Sequence, residues 1–166
     1  MSNSTAGAIA PLSIKFNALT LVAATTAAIA ASTSASLGWS VWAMFVGWVA
    51  FFTRGHSARD ALFSYLCLAI GIAFGTVAAL AVGALLPLMG PLAFAPVVFV
   101  VAMVVVSLRA AAPLNNIPAY FLGLITFFAA HLPPSLLAFG ELAAVSALGT
   151  LAAWLAHRWQ TRILQK

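Results

Sequence analysis

The segment Ala43-Met44-Phe45-Val46-Gly47-Trp48-Val49-Ala50-Phe51-Phe52 returns 76 positions later as Ala119-Tyr120-Phe121-Leu122-Gly123-Leu124-Ile125-Thr126-Phe127-Phe128, with five of ten residues identical. Three of those five are Phe, which makes up only 12 of 166 residues, so shared apolar composition does not account for the match. A second echo sets Gly75-Thr76-Val77-Ala78-Ala79 against Gly149-Thr150-Leu151-Ala152-Ala153 at an offset of 74, with Leu68-Ala69 matching Leu142-Ala143 on the way. The chain therefore reads as two related halves, about 16–84 and 91–157, inside one domain covering 1–166.

The residues around the repeat set its solvent. Hydrophobic residues make up 64% of the chain and charged residues 5%, against about 25% charged in a soluble domain. A water-soluble fold cannot cover itself with so few charges. Apolar runs over 16–34, 38–53, 60–84, 91–108, 116–130 and 134–157 approach the roughly 17 to 25 residues that a spanning helix needs. They are separated by Ser32 to Ser36, Arg54-Gly55-His56-Ser57, Pro87 to Pro91, Pro113 to Asn116 and Pro133-Pro134, all of which disfavour helix continuation. The expectation is an all-α integral membrane protein of six transmembrane helices, with the lipid bilayer as its obligatory partner and no separate soluble domain.

Charge sets the orientation. Lys15 precedes the first run, Arg54 and Arg59 follow the second, Arg109 follows the fourth, and Arg158, Arg162 and Lys166 follow the sixth. With six spans all seven fall on one side, and Lys and Arg mark cytoplasmic loops, so both termini are expected inside. Trp39, Trp42 and Trp159 stand where an interfacial aromatic belt would place them. The first copy of the repeated segment then descends through the bilayer while the second ascends. This is a 3+3 inverted-topology repeat, N-in and C-in. Lys15 and the Ala/Thr-rich stretch after it imitate a cleavable leader, but the first fourteen residues carry no basic side chain and the repeat needs this segment as a first helix.

Other classes are disfavoured. The net charge of +5 is scattered singly and forms no stripe, so no nucleic-acid partner is expected. The lone Cys67 allows no intrachain disulfide, and no His, Cys and carboxylate spacing suggests a metal site or any other cofactor.

Inverted repeats are common in secondary transporters, whose sites form at the repeat interface near short or interrupted helices. Here runs two and five are the shortest, each carries a central Gly, and run five opens on Asn115-Asn116-Ile117-Pro118. Phe45 and Phe52 stand seven apart with Trp48 between them, and Phe121 and Phe128 repeat that face; these five, with Glu141, are the expected pathway lining. Glu141 is an acid inside a predicted span, which costs on the order of 2.5 to 3.5 kcal/mol on insertion scales and marks a functional candidate. With no Lys or Arg in its own span, it is expected to be either protonated or hydrogen-bonded to neighbours such as Ser146, Thr76 or Thr150, and Cys67 is its counterpart in the first half. His56 and His131 are expected at the inner and outer mouths, and Asn115 and Asn116 at a vestibule. Gly71-x-x-x-Gly75 and Gly149-x-x-x-Ala153 read as close helix packing, and Asp60 as the start of the third helix.

At Trp42-Ala43-Met44-Phe45-Val46-Gly47…Phe51-Phe52 and Ile117-Pro118-Ala119-Tyr120-Phe121-Leu122-Gly123…Phe127-Phe128-Ala129, the chain resembles the bacterial inner-membrane proteins grouped as domain of unknown function 1097. The resemblance runs from the first span to the sixth and implies a multi-span inner-membrane protein; it supplies no substrate and no catalytic residues. The basic turn Thr53-Arg54-Gly55-His56 departs from it. The functional expectation is a channel or transporter for a small neutral or weakly basic solute, not an enzyme, with homo-oligomerisation left open. The alternative is a non-transporting membrane scaffold or regulatory partner protein.

Overall fold

A computed structural model describes residues 13–165. Lys166 and the stretch before Ser13, which enter the charge pattern and the leader reading, lie outside the described residues. Each expected apolar run forms a helix: α1 Ile14–Ser36, α2 Val41–Phe51, α3 Ala58–Met89, α4 Phe94–Ser107, α5 Ile117–Ala130 and α6 Leu136–Leu164. Two 3₁₀ turns, Gly90–Ala93 and Leu108–Ala110, flank α4, and there is no strand among the described residues.

The helix starts are chemically specified. Ser13, Ser57 and Ser135 each accept the N–H three residues on, at 3.0 to 3.1 Å, and so satisfy one otherwise orphaned donor of α1, α3 and α6. Pro118 sits in the first turn of α5, where its missing N–H costs nothing. Pro87 does not stop α3 as its sequence position suggests. The helix runs through it to Met89 and ends at Gly90, which takes the positive φ of 54° that a side chain would resist.

Length divides the helices into two kinds. At 1.5 Å per residue α3 and α6 are about 48 and 44 Å long and α1 about 34 Å, whereas α2 and α5 reach only about 16 and 21 Å. Ile14–Ser36, the continuous helical run Ala58–Ala110 and Leu136–Leu164 are long and apolar enough to cross a membrane. The middle run folds back on itself, for α4 packs Val97 and Val101 against Ala78, Val82 and Leu85 of α3.

The short helices occupy the centre. α2 lies mainly on α6 and α5 mainly on α3, α3 and α6 touch, and α1 and α4 flank α6 and α3 respectively. The core is filled by Met44, Phe51, Leu68, Ile72, Tyr120, Leu142 and Val145, all fully buried. The outer surface is the reverse of a soluble protein's: Leu21, Ile29, Val77, Leu80, Val98, Phe99 and Met103 are each more than half exposed. Such a continuous apolar exterior on a helical bundle, with its backbone bonded internally, is what a lipid environment requires.

One end of the bundle is basic. Gln160 Nε2 donates to the Leu19 carbonyl at 2.9 Å, tying the end of α6 to the start of α1. Arg54 donates to the Pro113 carbonyl, and His56 stacks on His157. Lys15, Arg54, Arg59, Arg109, Arg158 and Arg162 thus lie toward the same end of the bundle.

Candidate functional site

Two joints hold the centre together. A methyl added to Gly47 of α2 would overlap the Ser146 carbonyl oxygen of α6, and one added to Gly149 of α6 would overlap the Met44 carbonyl oxygen of α2. The other joint repeats this arrangement: Gly123 of α5 abuts the Leu68 carbonyl of α3, and Gly71 of α3 abuts the Tyr120 carbonyl of α5. Backbone approaches this close tolerate no side chain. Each short helix is packed on the long helix of the other half of the chain.

The contacts pair Gly71 with Gly149, one helical turn from the Gly75 that the sequence echo selects. Gly75 instead receives the Phe127 side chain. Repeated small residues permit this: Gly71 and Gly75 lie on the same face, and either matches Gly149 by composition alone. On the contact register Ser146 corresponds to Leu68 and Thr150 to Ile72, and Glu141 falls opposite Phe63 rather than Cys67.

The aromatic residues expected to line the seam between α2 and α5 do not meet there. Phe45 and Phe52 are 42% and 49% exposed, and Phe121 and Phe128 are 39% and 44% exposed, because α2 and α5 turn Gly47 and Gly123 inward and leave the Phe-bearing faces outside. Phe121 and Phe128 line a cavity of about 190 Å³ with Val97, Val101 and Ala102 of α4, on the outer side of α5. Trp48 is half-buried against Phe51, Ala61 and Ala153. The duplicated Phe pattern therefore belongs to the flanks, and the inward glycines were its functional partner in the sequence.

A polar pocket opens instead at the basic end of the seam. Thr53 and Arg54 after α2, and Asn115 to Pro118 at the start of α5, enclose about 320 Å³. Asn116 lies buried at its base and donates from Nδ2 to Thr53 Oγ1 at 2.7 Å and to Ser64 Oγ at 3.0 Å. Thr53 itself donates to the Ala50 carbonyl at 2.7 Å, so its oxygen is the acceptor and the Asn116 amide orientation is fixed. Both amide hydrogens are used. No buried side-chain polar atom among the described residues lacks a partner, and Oδ1 accepts no hydrogen bond there, so that oxygen is not fully buried, on a residue that lines the pocket. Arg54 forms the wall, held by the Pro113 carbonyl and by Asp60 Oδ1 at 3.6 Å. Asp60 Oδ2 accepts from Ser57 at 2.6 Å. Sequence reading placed Asn115 and Asn116 at a vestibule; it missed Thr53 and Ser64, which become visible only once α2, α3 and α5 converge. The basic turn Thr53-Arg54-Gly55-His56 supplies the pocket's Thr53 and Arg54.

The remaining candidates separate. His56 stacks on His157 with ring centroids 4.6 Å apart and Phe51 against both rings. His157 was unremarked in the sequence because its partner lies on a distant turn. His131 stands alone at the opposite end, in the left-handed conformation that closes α5, with Nδ1 2.9 Å from the Ala129 carbonyl. Glu141 is half-buried on α6 and makes no hydrogen bond or ion pair among the described residues. Its expected partners are spent elsewhere: Ser146 donates to the Ala43 carbonyl, Thr150 has a single hydroxyl hydrogen within reach of both the Gly47 and Ser146 carbonyls, and Thr76 donates to the Ile72 carbonyl. No group of three His, Cys, Asp or Glu residues that could hold a metal occurs among the described residues.

Residues 20–157 match the family described as "Protein of unknown function (DUF1097)". The chain belongs to that family. Both joints and the pocket fall inside the matched region, so the DUF1097 assignment covers the whole packed centre. No curated protein and no solved structure matches the chain.

Proposed function

We propose that this DUF1097 protein is a six-span membrane protein built from two inverted three-helix halves, N-in and C-in, that passes a small neutral or weakly basic solute between them. The crossed glycine joints support the two-fold reading, since α2 uses α6 as α5 uses α3. The gathering of six described basic residues at one end supports the orientation. The observation that carries the functional reading is the buried Asn116, whose carboxamide oxygen accepts no hydrogen bond among the described residues, in the lining of a polar pocket at the end of the α2–α5 seam. A carboxamide oxygen near a guanidinium offers one acceptor and one donor, which matches the N–H and carbonyl of a small neutral amide. Met44, Tyr120, Thr126 and Val145 close the bundle beyond it, so passage requires α2 and α5 to shift on their glycine joints. The site residues are Thr53, Arg54, Asn115 and Asn116, with Glu141 further along α6. The work is transport rather than catalysis, and the setting is a bacterial inner membrane.

Flux of small amides and amines into proteoliposomes tests this. Wild type is expected to exceed protein-free vesicles, and Asn116→Leu to reduce the flux by about tenfold, the loss of one to two good hydrogen bonds. Absence of flux for every solute in a folded preparation sinks the reading. The closed seam favours a second reading, a non-transporting scaffold or regulatory partner, for which the same folded preparation would bind a protein in fixed stoichiometry and pass nothing.

A further inference from the structure

A groove on the α3–α6 face has a different character from the pocket. Ala58, Ala61, Leu62 and Tyr65 of α3 and Ala147, Leu151 and Trp154 of α6 line about 280 Å³ of almost entirely apolar space, open to the side of the bundle. On both helices the lining recurs at intervals of three and four, so each contributes one continuous stripe. The stripe on α6 continues one turn beyond Trp154 to Arg158, whose guanidinium lies 5.3 Å over the Trp154 ring. Arg59 follows Ala58 at the lip of the same end and lies 5.6 Å over the Phe63 ring.

Neither guanidinium forms an ion pair among the described residues, although Asp60 lies near enough to Arg59 for the two charges to attract. The single ion pair there joins Arg54 to Asp60, and the second Asp60 oxygen is taken by Ser57. Two exposed arginines held flat against aromatic rings therefore border the basic end of an apolar groove, on a surface that faces lipid. Basic pockets between helices at the cytoplasmic side are where anionic headgroups bind. We infer that this groove holds one acyl chain of an anionic phospholipid, with its phosphate against Arg158 and Arg59. The groove's length along α3, the seven steps from Ala58 to Tyr65 or about 10 Å, accommodates the upper part of one chain. The inference rests on the proposed membrane placement and orientation and stands apart from the solute pathway.

A variant retaining Trp154 as its sole tryptophan, with Trp39, Trp42, Trp48 and Trp159 replaced by Phe, reports occupancy through quenching by brominated-chain lipids. In vesicles of phosphatidylcholine, brominated phosphatidylglycerol is expected to quench at several-fold lower mole fraction than brominated phosphatidylcholine, roughly 5-fold per guanidinium. Arg59→Gln with Arg158→Gln is expected to erase the difference. Equal quenching by both lipids, or a preference that survives the double variant, overturns the inference. Protection from both lipids together with cross-linking of copies through this face overturns it in favour of a second chain. Native mass spectrometry of the unmodified protein, exchanged against an equimolar lipid mixture, gives an independent reading: one retained phosphatidylglycerol supports the inference, and none overturns it.

Discussion

The joint between α2 and α6 and the joint between α5 and α3 have the same geometry and different chemistry. In both, two glycines let backbones meet so closely that a carbonyl of one helix fills the space of a missing side chain on the other. On α6 the residues beside the glycine are Ser146 and Thr150, and Thr150 Oγ1 donates across the joint to the Gly47 carbonyl at 2.9 Å. On α3 the corresponding residues are Leu68 and Ile72, which bond nothing and fill space. The polar link of that half is displaced to its end, where Asn116 reaches Ser64 of α3. Steric fit is thus the shared requirement, and hydrogen bonding is the variable addition. The polar addition at the end of the α5–α3 joint is also what makes the pocket.

The shared requirement breaks most severely. Gly149→Leu and Gly71→Leu are each expected to abolish folded protein on gel filtration, because several carbons must displace backbone. Gly47→Ala and Gly123→Ala should cost at least about 1–3 kcal/mol in mixed-micelle unfolding. Gly83→Ala and Gly140→Ala, where a methyl meets nothing within 4 Å, are the controls and should be neutral or slightly stabilising. Loss from the controls equal to that from the joints would dissolve the comparison.

Removing the displaced polar link comes next. Asn116→Ala leaves buried Ser64 without this partner and should lower stability by about 1–3 kcal/mol in the same unfolding assay, whereas at the equivalent N-cap of α2 Ser40→Ala should cost less, since Ser40 makes no side-chain cap bond. The cross-joint hydroxyl is smaller again. Thr150→Val should cost about 0.6 kcal/mol, the average for interhelical bonds in a membrane protein, and Ile72→Thr on α3 should recover no comparable gain unless its hydroxyl finds a Gly123 carbonyl at the same spacing. The smallest effect is expected at Glu141→Gln, within about 0.5 kcal/mol, because the carboxylate holds no partner whose loss would register.

Much of this was legible in the residues. The six apolar runs, their breaks and the basic end follow from solvent and backbone chemistry that act locally. The repeated segment pointed to paired helices, and its glycine was the informative position. Its Phe residues drew the eye because they are rare, yet rarity does not say which face turns inward. In lipid an exposed Phe is as well solvated as a buried one, so hydrophobicity carries no inside-outside signal on α2 and α5. Small residues do carry one. The Thr53, Ser64 and Asn116 cluster was not legible because it joins three elements through bonds spanning more than fifty positions, and His157 was hidden for the same reason.

The crossing of the halves also has a consequence in time. Thr150 lies 103 positions after the Gly47 it bonds, so at about 5–20 residues per second α2 is synthesised roughly 5–20 s before its partner helix exists. With only 11 residues, α2 is made well before the helix that completes its joint. Because each joint draws one helix from each half, neither half contains a complete joint by itself. A chain cut in the Gly90 turn and produced as two pieces should therefore remain degradable until both pieces share one membrane, and then become stable together.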